Sequence, residues 1–203
     1  LRRQDDDFCD PLELRADSAL GVPGLVQVLR AGNLVLANAL GSGFLESSAV
    51  QGFLPAIARA LLGQELLLPS LPTWWCGEGA AWAAVRNELP GRVLRPAFGG
   101  DGEGARLIAA DDVAALQSRI DQDPDAYTVQ GRLALSRAAL LQADGRLAQR
   151  PAMLRVYAIA DDAERWHVLQ GGLTRMATRA PLSVSMAQGG TSLDTWVLSE
   201  GAV

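Results

Sequence analysis

The stretch from Arg92 to Gly104, RVLRPAFGGDGEG, holds the densest set of residues suited to chemistry in this chain. A short apolar run, Val93-Leu94, delivers a cation and a proline, Arg95-Pro96, into a loop with glycines at 99, 100, 102 and 104. Glycines this dense allow positive φ and let several backbone N–H groups face one anion, which is how loops cradle phosphate. The spacing fits neither G-x-x-x-x-G-K-[ST] nor G-x-G-x-x-G. The same glycines also serve as turn punctuation, and on this segment alone both readings stand.

Other residues have chemical potential and a plainer role beside it. Asp5, Asp6 and Asp7 suit a metal or an amine, and equally a solvated acidic loop. Asn38 suits a ligand contact or the support of its own turn. His167 sits in an alternating pattern without an evident partner and reads as structural. Trp74, Trp75, Trp82 and Trp196 read as core, because a buried Trp contributes so much area. Cys9 and Cys76 have neither metal-type spacing nor a context that lowers a thiol pKa.

Composition narrows the classes. All 18 basic residues are Arg. No lysine amine is present to act as nucleophile, Schiff base or phosphate ligand. A net charge of −5 with no basic run argues against a nucleic-acid groove. No apolar stretch approaches the ~20 residues of a membrane span, and no secretory pattern opens the chain. The expected location is cytoplasmic. A chain of 203 residues is one large domain or two small ones.

These groups need elements to position them. Leu1-Arg2-Arg3 reads as the tail of a strand, and so abrupt a start suggests a fragment of something longer. Val22 to Arg30 reads as a short helix and Asn33 to Leu40 as a buried strand. Val50, Phe53, Leu54, Ile57, Ala58 and Leu61 form one apolar helical stripe, stopped by Gly63. Leu66 to Leu68 reads as extended, and Ala80 to Leu89 as a helix ended by Pro90. Residues 1–90 therefore suggest an open α/β lobe. After Pro90 the texture becomes α+β, giving a second lobe over 91–203. In it a helix over Asp111 to Ile120 covers an antiparallel sheet built from Ala126–Val129, Leu133–Leu135, Met153–Ala160, Trp166–Leu169 and Leu182–Met186. The glycine loop falls at the junction of the lobes.

Seven motifs stand in order along the chain: DDDFCDPLEL, NALGSGFLES, LRPAFGGDGEG, AYTVQ (Ala126–Gln130), LRVYAI (Leu154–Ile159), GGLTRMA (Gly171–Ala177) and QGGTSLDTWVLS (Gln188–Ser199). Together they resemble the circularly permuted ATP-grasp family, and within it the ATP-binding part of glutathionylspermidine-synthase-type ligases. The resemblance spans essentially the whole chain and implies a partial ATP-grasp fold. Its chemistry is carboxylate activation as an acyl phosphate followed by amine attack, with ATP and Mg²⁺. It implies that Gly99, Gly100, Gly102 and Gly104 cover the β- and γ-phosphates, with Arg95 at the phosphate-binding cation of a Lys-Pro step. Val129-Gln130 edges the adenine, and Arg155 and Arg175 hold phosphate or acyl-phosphate oxygens. Arg3, Asp6, Asp7, Asn38 and Asp194 are the residues it offers to a small-molecule or peptide carboxylate and amine. The metal ligands stay unassigned. The family's acidic-x-Asn motif normally lies upstream, which implies a missing N-terminal part of the same protein.

The chain departs from the family pattern at three places. Arg95 replaces lysine, Gly131 stands where a Gln-Glu pair has its glutamate, and Leu193 replaces the lysine of Ser-Lys-Asp-Thr-Trp. The departures open an alternative to a ligase: a degenerate scaffold that serves as a binding or interaction module.

Overall fold

The run Tyr127-Thr128-Val129-Gln130 has β-branched residues at its centre and forms a strand, β4 (Tyr127–Gln130), in the middle of an antiparallel sheet. The computed structural model describes residues 1–98, 104–142, 144–162, 165–177 and 190–198. Strand β4 lies between β1 (Thr73–Trp75) and β2 (Val93–Pro96), and β3 (Arg106–Leu107) forms the edge beyond β2. Residues directly opposite in an antiparallel pair share a face. Trp74, Val129 and Leu94 therefore face one way, and Trp75, Thr128 and Arg95 the other.

The first face is apolar and carries the core. Helices α3 (Gly79–Val85) and α4 (Val113–Gln122) bring Trp82, Val85, Leu116 and Ile120 onto Leu94 and Val129. The expected stripe of Val113, Leu116 and Ile120 is the face that packs. This helix covers the first sheet, built from strands on both sides of Pro90, rather than a later one. Burial pushes the Cys76 thiol beneath it up to about 12, in keeping with an inert cysteine.

The second face is polar and is met by α2 (Ser48–Leu62). Ser47 caps its start, and Gly63 ends it at φ 64°, a left-handed conformation that suits glycine. The first turn binds the sheet: Ser48 Oγ lies 2.6 Å from Thr128 Oγ1 and also bonds the Pro96 carbonyl. The expected apolar stripe is only partly core. Ala58 is buried, but Leu61 is 78% exposed, because the anchoring polar contacts are made at the other end of the helix.

Asn33 to Leu40 is not a strand, and most of it is exposed. Arg2 takes up its backbone instead, bonding the carbonyls of Ala37, Asn38 and Ala39. Leu1 to Arg3 likewise has no strand partner. The expected helix near Val22 is α1 (Leu25–Arg30), and Leu66 to Leu68 forms no strand.

Packing divides the chain into two compact units, Leu1–Gly131 and Arg132–Val203, a break downstream of the texture change at Pro90. In the second unit β5 (Arg137–Leu141), β6 (Leu147–Arg155), β9 (Leu173–Met176) and β10 (Thr191–Asp194) form an antiparallel sheet in the order β10-β9-β6-β5. Strands β7 (Ala158–Ala160) and β8 (Trp166–Val168) make a separate pair. Leu133–Leu135 precedes the first strand instead of forming one, and Leu182–Met186 lies outside the described residues. Trp196 is 87% exposed, not core. His167 has a partner after all, with Nε2 2.9 Å from Asp161 Oδ2. The fold is mixed α/β, with antiparallel sheets and a few helices.

One buried acid ties the N-terminal segment down. The fully buried Asp10 accepts backbone N–H groups from Val26, Leu12 and Gly24 at 3.0, 2.9 and 3.2 Å. The Val26 N–H above all, joined by the others against the opposing effect of burial, holds this carboxyl below the 3.8 of a free aspartate. The stability it contributes is present above the unfolded-state value and is lost as pH falls through the lower folded-state value. Asp10→Asn is expected to lower the thermal midpoint by several degrees at neutral pH. The gap to the native protein should close once pH drops below the folded-state value, as followed by circular dichroism.

Candidate functional site

Strands β2 and β3 are the two arms of an antiparallel hairpin, with Val93 opposite Leu107 and Leu94 opposite Arg106. The glycine run lies in the sequence that joins these two arms, and each arm carries a cation, Arg95 and Arg106. Gly99, Gly100 and Gly102 lie outside the described residues. Gly104 is described, and a Cβ added to it would meet open space. Beside it lies a cavity of about 220 Å³ lined by Leu94, Arg95, Pro96, Gly104, Arg106 and Tyr127. Sequence reasoning missed Arg106. Its signal is a cation placed just after the last glycine, where the returning arm begins.

Arg95 is half-buried on the polar face of the sheet, and its Nη1 donates to Gln130 Oε1 at 3.3 Å. Gln130 is 2% exposed, and its Nε2 donates to Gln51 Oε1 at 2.5 Å and to Thr73 Oγ1 at 3.0 Å. Val129 is fully buried with its side chain in the core. The backbones of Val129 and Gln130 belong to a strand paired on both sides. Gly131 donates its N–H to the Pro72 carbonyl at 2.8 Å.

The N-terminal acids fall around a larger cavity of about 730 Å³, whose lining includes Asp5, Asp6, Asp7, Phe44, Glu46 and Phe98. Phe98 is the residue from which the chain enters the glycine loop. Asp6 is engaged internally: its Oδ2 accepts from Gly41 and Gly43 at 3.0 and 2.9 Å. A Cβ on Gly43 would come within 2.8 Å of that oxygen. Arg2 Nη1 lies 2.6 Å from Asp6 Oδ1, an ion pair rather than an aligned hydrogen bond. Asn38 adopts φ 63° and gives its carbonyl to Arg2 Nε at 2.8 Å, so it supports the turn. Asp7 and Arg3 are exposed.

In the second unit the register brings three expected site residues to one sheet face. Arg155 and Asp194 both stand opposite Leu173, and Arg175 stands two residues along β9, opposite Ser192. Leu193, opposite Thr174, belongs to the other face. Arg155 and Asp194 are exposed and Arg175 is half-buried. The buried Nε of Arg175 has no hydrogen-bond partner among the described residues, a donor suited to an anionic oxygen. Among the described residues, no group of three or more His, Cys, Asp or Glu is placed to hold a metal ion. No helix among them is long and apolar enough to cross a membrane.

Comparison with known proteins identifies the family. A family model, circularly permuted ATP-grasp type 2, matches residues 1–177. The chain belongs to the circularly permuted ATP-grasp type 2 family. An uncharacterized protein of Mycobacterium tuberculosis (strain ATCC 25618 / H37Rv) is 38% identical over 205 residues, covering 99% of this chain and 37% of its own length. An uncharacterized protein of Synechocystis is 38% identical over 201 residues, with 97% and 41% covered. Another M. tuberculosis protein, also uncharacterized, is 34% identical over 124 residues, with 61% and 14% covered. The chain thus spans 37 to 41% of the length of the first two relatives.

The Arg2–Asp6 cluster gives a test of what holds the acidic segment at its cavity. Arg2→Ala is expected to speed chymotryptic cleavage after Phe8 several-fold by raising local opening, with Arg3→Ala close to native. Equal rates for native and Arg2→Ala would remove the clamp from this account.

Proposed function

We propose that the chain is the ATP-binding part of an ATP-dependent carboxylate–amine (peptide-type) ligase that works through an acyl phosphate, as glutathionylspermidine-synthase-type enzymes do. The observation that carries this reading is the antiparallel pairing of β2 with β3 across a glycine-rich stretch of sequence, with Arg95 and Arg106 lining a cavity beside Gly104. ATP supplies the phosphoryl group that activates the carboxylate. Arg95 meets phosphate charge, and the glycine loop covers it with backbone N–H groups. Arg155 and Arg175 pair the oxygens of the activated acid, since a guanidinium engages two at once. In the first unit Asp7 is left to orient an amine, because Asp6 and Asn38 are occupied by Arg2 and the Gly41–Gly43 turn, and in the second unit Asp194 is the residue offered to substrate. The Val129–Gln130 segment edges the adenine, with the chain leaving β4 at Gly131 beside it. Mg²⁺ is held in part by residues of the longer polypeptide.

One observation favours the second reading, a degenerate scaffold. Gly131 has no side chain to bind ribose hydroxyls. A Cβ there would stand 3.4 Å from Pro72 Cδ, an ordinary contact, so the position admits a side chain's first carbon. Leu193 weighs less, because its face is not the one that carries Arg155 and Arg175.

Isothermal titration with ATP–Mg²⁺ tests the proposal. Binding is expected to be weak or undetectable in the 203-residue chain and measurable in the longer natural polypeptide. There Arg95→Ala should weaken it about tenfold or more, and Gly131→Glu should strengthen it. Absence of binding and turnover in the longer polypeptide, across a panel of carboxylates and amines, would decide for the scaffold.

A further inference from the structure

We infer that Gln51, on α2, is a positioning residue that completes the hydrogen bonding of the buried Gln130 amide and so holds Arg95 aimed at an anion. The inference rests on the reading of Arg95 as a phosphate ligand. Arg has five donors and no acceptor, so the Gln130 atom 3.3 Å from Arg95 Nη1 must be the amide oxygen. The Gln130 NH₂ then needs two acceptors on its other side. Thr73 supplies one: its hydroxyl proton goes to the Leu71 carbonyl at 3.0 Å, leaving a lone pair for Gln130 Nε2 at 3.0 Å. Gln51 Oε1 supplies the second at 2.5 Å.

A flipped amide would set NH₂ against the guanidinium and leave the Thr73 lone pair facing an oxygen. Arg95 at one end and Thr73 at the other disfavour that arrangement, and Gln51 supplies the second acceptor that the NH₂ needs. The remaining N–H groups of Arg95 have no hydrogen-bond partner among the described residues, so one anchored edge leaves the others for a ligand. The path from α2 to the cation thus runs through one side chain on the central strand.

Two variants separate acceptor chemistry from packing. Gln51→Leu removes the acceptor at similar size, and Gln51→Glu keeps an acceptor within the same reach. In the longer natural polypeptide, Gln51→Leu is expected to raise the ATP–Mg²⁺ Kd about tenfold, and Gln51→Glu to stay within about twofold. In an Arg95→Ala background Gln51→Leu should add nothing. In parallel, the ¹⁵Nε–Hε resonance of Arg95 should move in Gln51→Leu and hold in Gln51→Glu. Equal losses in the two variants, or a full Gln51→Leu effect without Arg95, would overturn the inference. If the native polypeptide binds no ATP–Mg²⁺, the proposed function fails, and the Arg95 resonance still decides the role of Gln51: an unmoved signal in Gln51→Leu refutes it.

Discussion

The arrangement depends on satisfying polar side chains that the central strand buries. Thr128 and Gln130 point to one face of β4 and are almost wholly buried. An unpaired buried amide or hydroxyl costs about 1–3 kcal/mol, so each must find a partner within the fold. Ser48 and Gln51 answer them from the first turns of α2, and Thr73 and Arg95 answer from the flanking strands. Helix α2 is therefore located by hydrogen bonds more than by its apolar stripe. Its C-terminal turn can leave Leu61 and Leu62 in solvent without loss of registration.

The opposite face works by area instead of direction. Trp82, Val85, Leu89, Leu116 and Ile120 close over Leu94 and Val129, and this apolar layer sets the height of β2 and β3. A hairpin with only two paired positions on its outer arm has little strength of its own. Leu94 in the core and Ile108 just beyond β3 anchor both arms, and they do so next to Arg95 and Arg106.

In the second unit the equivalent constraint is register. Pairing of β6 with β9 and of β9 with β10 sends Arg155, Arg175 and Asp194 to one side, and a slip of one residue in any strand would send its residue to the other. The same parity removes Leu193 from that side. A loss of charge that looks serious when the chain is read as a string is less so once the pleat is counted.

Much of this was legible along the chain. Gly63 and the 3.6-residue period marked helices α2 and α4, because these signals act between near neighbours. The ordered motifs carried the family, which the match over residues 1–177 bears out. What the string could not carry were contacts between distant residues. Asn33 to Leu40 has the look of a buried strand, yet Arg2 takes its carbonyls and leaves it outside any sheet. Arg106 comes to line a cavity with Arg95 only because β3 pairs with β2, and the register sends the two side chains to opposite faces of the sheet. Gln51 reaches Gln130 across 79 positions of sequence. Local spacing determined which segments turn, coil or cap. Tertiary structure alone decided which polar groups meet, since a buried donor takes whichever acceptor the packing brings to it.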